Sequence, residues 1–394
     1  MINWIIPLTS LVTAAVLAVP RLSRAETWRA MTTPLASIIG SGFLVLGPVL
    51  NAIYGAWAPA IMVLLCLVAY LIGAAVRYNI ADRQDGRGRA EIAVDHLSSW
   101  ALAFAYFIAV AYYLNLFGAF AVDLTPWNDE FHARLVTSAI FIVILVVGLT
   151  RGFSALERME QVSVGIKLSI IAGMLVGLGI YFGEQSEAGA LVLNPVTVGP
   201  WQAVTLGFGL IVTVQGFETS RYLGRSYSPE VRIRSMRWAQ LASSTIYLVY
   251  IGLASYVFGH QDIDLDEAAI ISMMAVVAPV LPIMLVGAAL SAQFSAAIAD
   301  TGGAGGLVAE LTGDRLKPGH AYALLVATGL ALTWRFDVFE IISHASRAFA
   351  LYYALQAAVA AIAASRAGER GHQLGFGLLS AFALAMAVLG TPIE

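Results

Sequence analysis

Apolar runs follow one another along almost the whole chain, separated by short polar loops. Twelve of them are long enough for a helix to cross a hydrocarbon layer about 30 Å thick: residues 2–20, 31–52, 56–80, 97–122, 134–150, 160–182, 201–222, 236–259, 269–298, 319–334, 338–364 and 373–391. The loops between them leave no room for a soluble domain, so the pattern predicts an all-α polytopic membrane protein of about 12 transmembrane helices.

Two runs break their own pattern. In the second, Ile38-Ile39-Gly40-Ser41-Gly42 sets two glycines around a serine, each glycine costing about 1 kcal/mol of helix propensity. Gly40 lies roughly 16 Å beyond Arg29 at 1.5 Å per residue, close to mid-membrane. A helix that opens there must satisfy its freed backbone away from lipid. The amides of its second half form a ready anion site. The seventh run carries Gln215-Gly216-Phe217-Glu218 at similar depth. It lies five runs later and runs antiparallel to the first. Paired interrupted helices in corresponding positions of two inverted halves point to a secondary transporter's binding site.

Composition supports the membrane reading. Of 394 residues, 59% are hydrophobic and only 12% charged, and the mean hydropathy is +0.79. The single cysteine, Cys66, excludes a disulfide framework within the chain and a cysteine-based metal site. Arg and Lys fall in alternate loops, at Arg21–Arg29, Arg77–Arg89, Arg151 and Arg158, Arg225–Arg237, Arg315 and Lys317, and Arg366 and Arg370. The intervening loops are acidic, with Asp129 and Glu130, Glu184 and Glu187, and Asp262–Glu267. The positive-inside rule then makes the basic loops cytoplasmic and leaves both termini outside, as expected of a protein of a bacterial inner membrane. The first run has no charge ahead of its apolar core, so it reads as a retained helix rather than a signal peptide.

Other residues carry chemistry with a blander alternative beside it. Lys167 lies roughly 13 Å past Arg158 along a helix and is one of two lysines in the chain. A buried ionisable group in a membrane is a functional candidate, although a lysine also snorkels to an interface. Glu218 is a candidate for proton coupling, or it pairs with Arg221 three residues on. Tyr106, Tyr112, Tyr113 and Asn115 either cap a pocket or anchor the interface. Ser291 and Ser295 offer oxygens to a candidate cation site, or are small packing residues. Glu340, His344 and Arg347 share one helix face as a candidate outer gate or a local ion-pair cluster. Pro48 should bend or end the outer part of the second run. The run Asp300-Thr301-Gly302-Gly303-Ala304-Gly305-Gly306 lacks the ending of a phosphate-binding loop and follows no strand, which argues against nucleotide binding.

The residues around the two breaks resemble a known family. Ile39-Gly40-Ser41-Gly42-Phe43, Val164-Gly165-Ile166-Lys167-Leu168, and Gly216-Phe217-Glu218 with Pro229-Glu230 and Arg232 behind it are similar to the first, fifth and sixth core helices of the amino acid–polyamine–organocation (APC) transporter superfamily. The resemblance implies a five-plus-five inverted repeat: 1–28 an extra N-terminal helix and linker, 29–183 the first repeat, 184–365 the second, and 366–394 a peripheral helix. It implies that amides around Ser41 and Gly42 hold a substrate carboxylate, while carbonyls near Ile38, Ile39, Gln215 and Gly216 take an amino group. It also implies that Lys167 stands where relatives hold sodium, and that Glu218 takes part in proton sensing. The chain departs from the pattern in its extra first helix and in a glycine run where a serine-arginine segment is usual. The expectation is a carrier of a small amino acid or related zwitterion or amine, proton-coupled, with no cofactor, no metal, no nucleic-acid partner and no enzymatic activity. A sodium-coupled symporter of the same fold and a non-transporting membrane sensor are its rivals.

Overall fold

The computed structural model describes residues 2–82, 86–150, 154–260, 266 and 268–392, without the side chains of Ser41, residues 154–161 and Arg225. Arg83, Arg151, Asp262, Asp264 and Glu267, counted above in the loop charges, lie outside the described residues, as do the side chains of Ser41 and Arg158.

Every regular element among the described residues is helical. In order they are α1 (Ile2–Ala18), α2 (Pro20–Ser23), α3 (Glu26–Ser41), α4 (Phe43–Tyr54), α5 (Ala58–Ala81), α6 (Arg89–Asp123), α7 (Glu130–Thr150) and α8 (Ser154–Glu187). The second half holds α9 (Pro200–Gly209), α10 (Thr219–Tyr222), α11 (Pro229–Ala254), α12 (Ala269–Val277), α13 (Leu281–Leu311), α14 (Pro318–Arg335), α15 (Val338–Arg366) and α16 (Arg370–Leu389). With α3–α4 and α9–α10 each counted as one interrupted rod, and the short α2 and α12 left aside, the described residues make twelve passes between an Arg-rich end and an acidic end. Arg134 and Arg335 are exceptions at the acidic end, where Arg134 pairs with Glu130.

Burial sorts these passes. Helix α6 packs along both α13 and α15 and is mostly enclosed, whereas α7 and α16 turn their apolar faces outward. The extra first helix lies against α8, where Ile6 and Ser10 fit over Gly173 and Gly177. At the far end of the chain, the Thr391 amide donates to Thr205 O at 3.1 Å, so the segment after α16 closes against α9.

Three expectations about helix limits change. Pro48 neither ends nor splits its helix; α4 continues to Tyr54, and the interruption falls earlier, at Gly42. The run 269–298 is two helices. Ala278 is extended (φ −160°, ψ 134°), because a residue before proline is driven from helical geometry, and Pro279 has no amide to donate. The glycine run is not a helix end but lies inside α13. Its missing side chains admit neighbouring rings: a Cβ on Gly303 would stand 3.0 Å from the Tyr106 ring, and one on Gly305 would collide with Tyr322.

Candidate functional site

The two interruptions meet, and they differ in kind. At the first, the ladder of α3 runs to Ser41, so Ile38, Ile39 and Gly40 are helical, and only Gly42 (φ −107°, ψ −10°) stands between α3 and α4. The opening expected over residues 38–42 is therefore one residue wide. The first amides of α4 still have no acceptor within their own helix. At the second, α9 stops at Gly209, a tight 3₁₀ turn covers Ile211–Val214, Gln215 is extended, and α10 begins only at Thr219.

Gly216 has φ +116°, a conformation that a side chain disfavours. It also lies directly on the first rod, where a Cβ would stand 2.5 Å from Ser37 Oγ and 2.6 Å from the Ile38 amide nitrogen. On the other side of the contact, a Cβ on Gly42 would stand 2.6 Å from Thr213 Cα. The two glycine sites thus allow the broken rods to touch main chain to main chain.

Side chains from other helices take up the freed backbone groups. The Tyr247 hydroxyl of α11 lies 3.0 Å from Ile38 O and 2.6 Å from Thr213 O, one carbonyl on each rod. Ser346 of α15 replaces a missing rung: its hydroxyl donates to Gly209 O at 2.5 Å and accepts from the Val212 amide at 3.2 Å. Lys167 is fully buried and donates to Ala36 O at 2.7 Å. Its Nζ is 3.8 Å from where a Gly40 Cβ would be, and that same point is 2.9 Å from Ala296 Cβ on α13. The lysine therefore sits where α3, α8 and α13 converge, and does not snorkel.

Glu218 is fully buried too. Its Oε2 accepts from the Gly216 amide and from the Tyr353 hydroxyl, both at 2.9 Å. Phe217 stacks on Tyr353 with ring centres 5.3 Å apart. Arg221 does not pair with Glu218. It meets Asp95 at 2.5 Å and also bonds Gln356. Gln215 donates to the Tyr113 hydroxyl at 2.7 Å. Tyr106, Tyr112 and Tyr113 are fully buried rather than at a surface, while Asn115 donates to Thr333 Oγ1 at 2.8 Å.

A cavity of about 1100 Å³ enters from the Arg-rich end between α6, α10 and α13 and reaches Tyr106, Thr219 and Gly303. Its wall carries Asp95 and Arg221, members of a network that the sequence reading did not assemble. In it Arg87 meets Asp82, Glu91 and Asp95, and Arg366 meets Asp82 and Glu91. At the acidic end Asn194 donates to Asn51 Oδ1 at 2.9 Å and to Phe258 O at 2.8 Å.

The remaining candidates stand apart from the gap or keep local partners. Ser295 is buried and donates to Ala292 O of its own helix, while Ser291 is half-buried. Glu340 completes a capping box with Asp337 at the start of α15. His344 lies edge-on to Phe336, and Arg347 donates to Ala387 O of α16. The structure does not bring these three together as one cluster.

A family model described as "APC superfamily transporter" matches residues 20–390 of this chain. The chain belongs to the APC superfamily of transporters. It is 39% identical over 384 residues to an uncharacterized protein of Aquifex aeolicus (strain VF5), covering 95% of this chain and 93% of that one. Its fold is similar to that of MHP1, a nucleobase-cation-symport-1 family transporter solved in a closed conformation with bromovinylhydantoin bound. That match has a TM-score of 0.58 at 12% identity, over 92% of this chain and 90% of the other. The APC transporter fold accounts for the paired interrupted rods, and the chain is an integral membrane protein.

Proposed function

We propose that this APC transporter is a proton-coupled secondary carrier of a small amino acid or related zwitterion or amine, working by alternating access with the Arg-rich end in the cytoplasm. The observation that carries the reading is the contact of two oppositely directed, interrupted rods, with a buried lysine at one and a buried glutamate at the other. A charged solute crossing hydrocarbon unaided loses its hydration; main-chain groups at the gap replace it. Lys167 has its ammonium between α3 and α13, where a coupling cation would otherwise lie, so protonation of the lysine takes the place of sodium binding. Loss of that proton weakens the hold on Ala36 O and lets α3 shift against α13. The cavity at the Arg-rich end then corresponds to one of the two alternating states, and the five-plus-five division at residues 29–183 and 184–365 gives each half one interrupted rod.

The test is uptake into proteoliposomes under an imposed pH gradient, with and without sodium, screened over amino acids, amines and organic acids. Accumulation driven by the pH gradient in sodium-free medium supports the proposal. An absolute sodium requirement overturns the coupling, and absence of counterflow for every solute class overturns the carrier reading.

A further inference from the structure

We propose that a groove on the lipid-facing surface, between α6, α14, α15 and α16, binds an anionic glycerophospholipid from the leaflet at the acidic end, with the lipid phosphate at Arg347 and His344. The site lies outside the bundle, away from the gap, and is independent of what the carrier moves.

The groove has a volume of about 500 Å³. Phe104, Leu351, Leu384 and Val388 line it and are all exposed. On a membrane-spanning helix such side chains face acyl chains rather than water. An apolar groove by itself names no occupant, but this one contains a charge.

Arg347 lines the same groove and is exposed. A charged side chain turned toward lipid is costly unless it finds a partner. Its Nε donates to Ala387 O in the last turn of α16, which uses one of the five donors of a guanidinium. Among the described residues no carboxylate forms an ion pair with it. On α15 itself, Asp337 and Glu340 stand about two turns or more further out and serve each other's backbone in the capping box. Neither α14 nor α16 contains an acidic residue. Those of α6, Glu91, Asp95 and Asp123, lie toward its two ends. The anion that answers Arg347 therefore comes from the bilayer.

The level is right for a phosphate. Arg347 lies roughly 28 Å along α15 from Arg366, which belongs to the ion network at the Arg-rich end. Helix α16, with 20 residues, ends beside Arg347. Both lengths match a hydrocarbon layer about 30 Å thick. His344, about one turn further out, also lines the groove and lies edge-on to Phe336. Leu351 lies about one turn deeper. The groove thus runs from basic to apolar in the order of a phospholipid's own parts. A guanidinium grips phosphate through two parallel bonds. A headgroup carrying choline would place a second cation beside Arg347, so the anionic lipid is preferred.

Native mass spectrometry of the full-length chain, titrated in detergent with phosphatidylglycerol and with phosphatidylcholine of matched chains, tests this. Wild type should hold a single phosphatidylglycerol about fivefold or more tighter than phosphatidylcholine. Arg347→Ala should weaken phosphatidylglycerol binding about tenfold, and Arg347→Lys should keep the preference for it. Leu384→Trp fills the groove with Arg347 in place and should displace the lipid too. Because Leu384 is on an exposed face, that variant decides the matter if Arg347→Ala does not fold. Arg370→Ala, at the other end of α16, should change nothing. Equal binding of the two lipids, an Arg347→Ala variant within twofold of wild type, or an equal loss in Arg370→Ala overturns the inference. A lipid-free dimer that Leu384→Trp converts to monomer would give the groove to a second copy and overturn it as well.

Discussion

The two interrupted rods solve one problem by opposite means. The first breaks at a single residue, Gly42, and keeps helical geometry on both sides. The second leaves the helix from Leu210 to Glu218, using a 3₁₀ turn, an extended Gln215 and a glycine at φ +116°. Their supports differ accordingly. Lys167 and Tyr247 reach carbonyls of the first, Ala36 O and Ile38 O, whereas α15 serves the second three times, through Ser346 at Gly209 and Val212, Tyr353 at Glu218, and the Phe217–Tyr353 stack. A narrow break keeps most of its own rungs, and one of the side chains that hold it is titratable. A wide break needs a second helix to supply the rungs it has lost. The first rod is thus suited to switching, and the second to presenting fixed acceptors.

That contrast can be broken at either side. The largest effect should come from Gly216→Ala, which meets both an unfavourable φ and the first rod's backbone. We expect a loss of about 3 kcal/mol or more, seen as a sharp fall in thermal unfolding temperature in detergent and no uptake, with no rescue by trimming Ser37 to Ala. Gly42→Ala meets only crowding, since its φ is negative, so about 1–3 kcal/mol is expected. Here Thr213→Gly, which removes the Cβ that would stand 2.3 Å away, should restore part of the stability. Equal rescue at both glycines would show that the breaks are not different in kind. Next, Ser346→Ala removes a donor and an acceptor from the second break, and should cost about 1–3 kcal/mol, raising KM for uptake more than it lowers kcat. Smallest is Glu340→Ala, which removes half of a capping box: about 0.5–1 kcal/mol of stability and unchanged uptake. A large transport defect in that variant would restore the outer-gate role to α15's first turns.

Much of this was visible in the chain itself. The twelve passes and the two glycine-marked rods follow from run length and alternating loop charge. What spacing along one helix does not carry is which neighbour faces it. Ser346, Tyr353 and Tyr247 read as ordinary packing residues until α15 and α11 are set beside the breaks. The glycine run after Asp300 resembled a helix end, when those glycines in fact make room for Tyr106 and Tyr322. The Asp82, Glu91 and Asp95 network was hidden for another reason: a count of basic residues in loops takes no account of the acids among them. The hydrogen bond between Asn194 and Asn51 joins residues 143 positions apart, beyond any local pattern.

The most direct test of the titratable clamp compares two modes of uptake in Lys167→Ala proteoliposomes. Counterflow exchange should persist, because the second rod's acceptors remain, while accumulation driven by a pH gradient is abolished. Full gradient-driven accumulation in that variant would contradict the account.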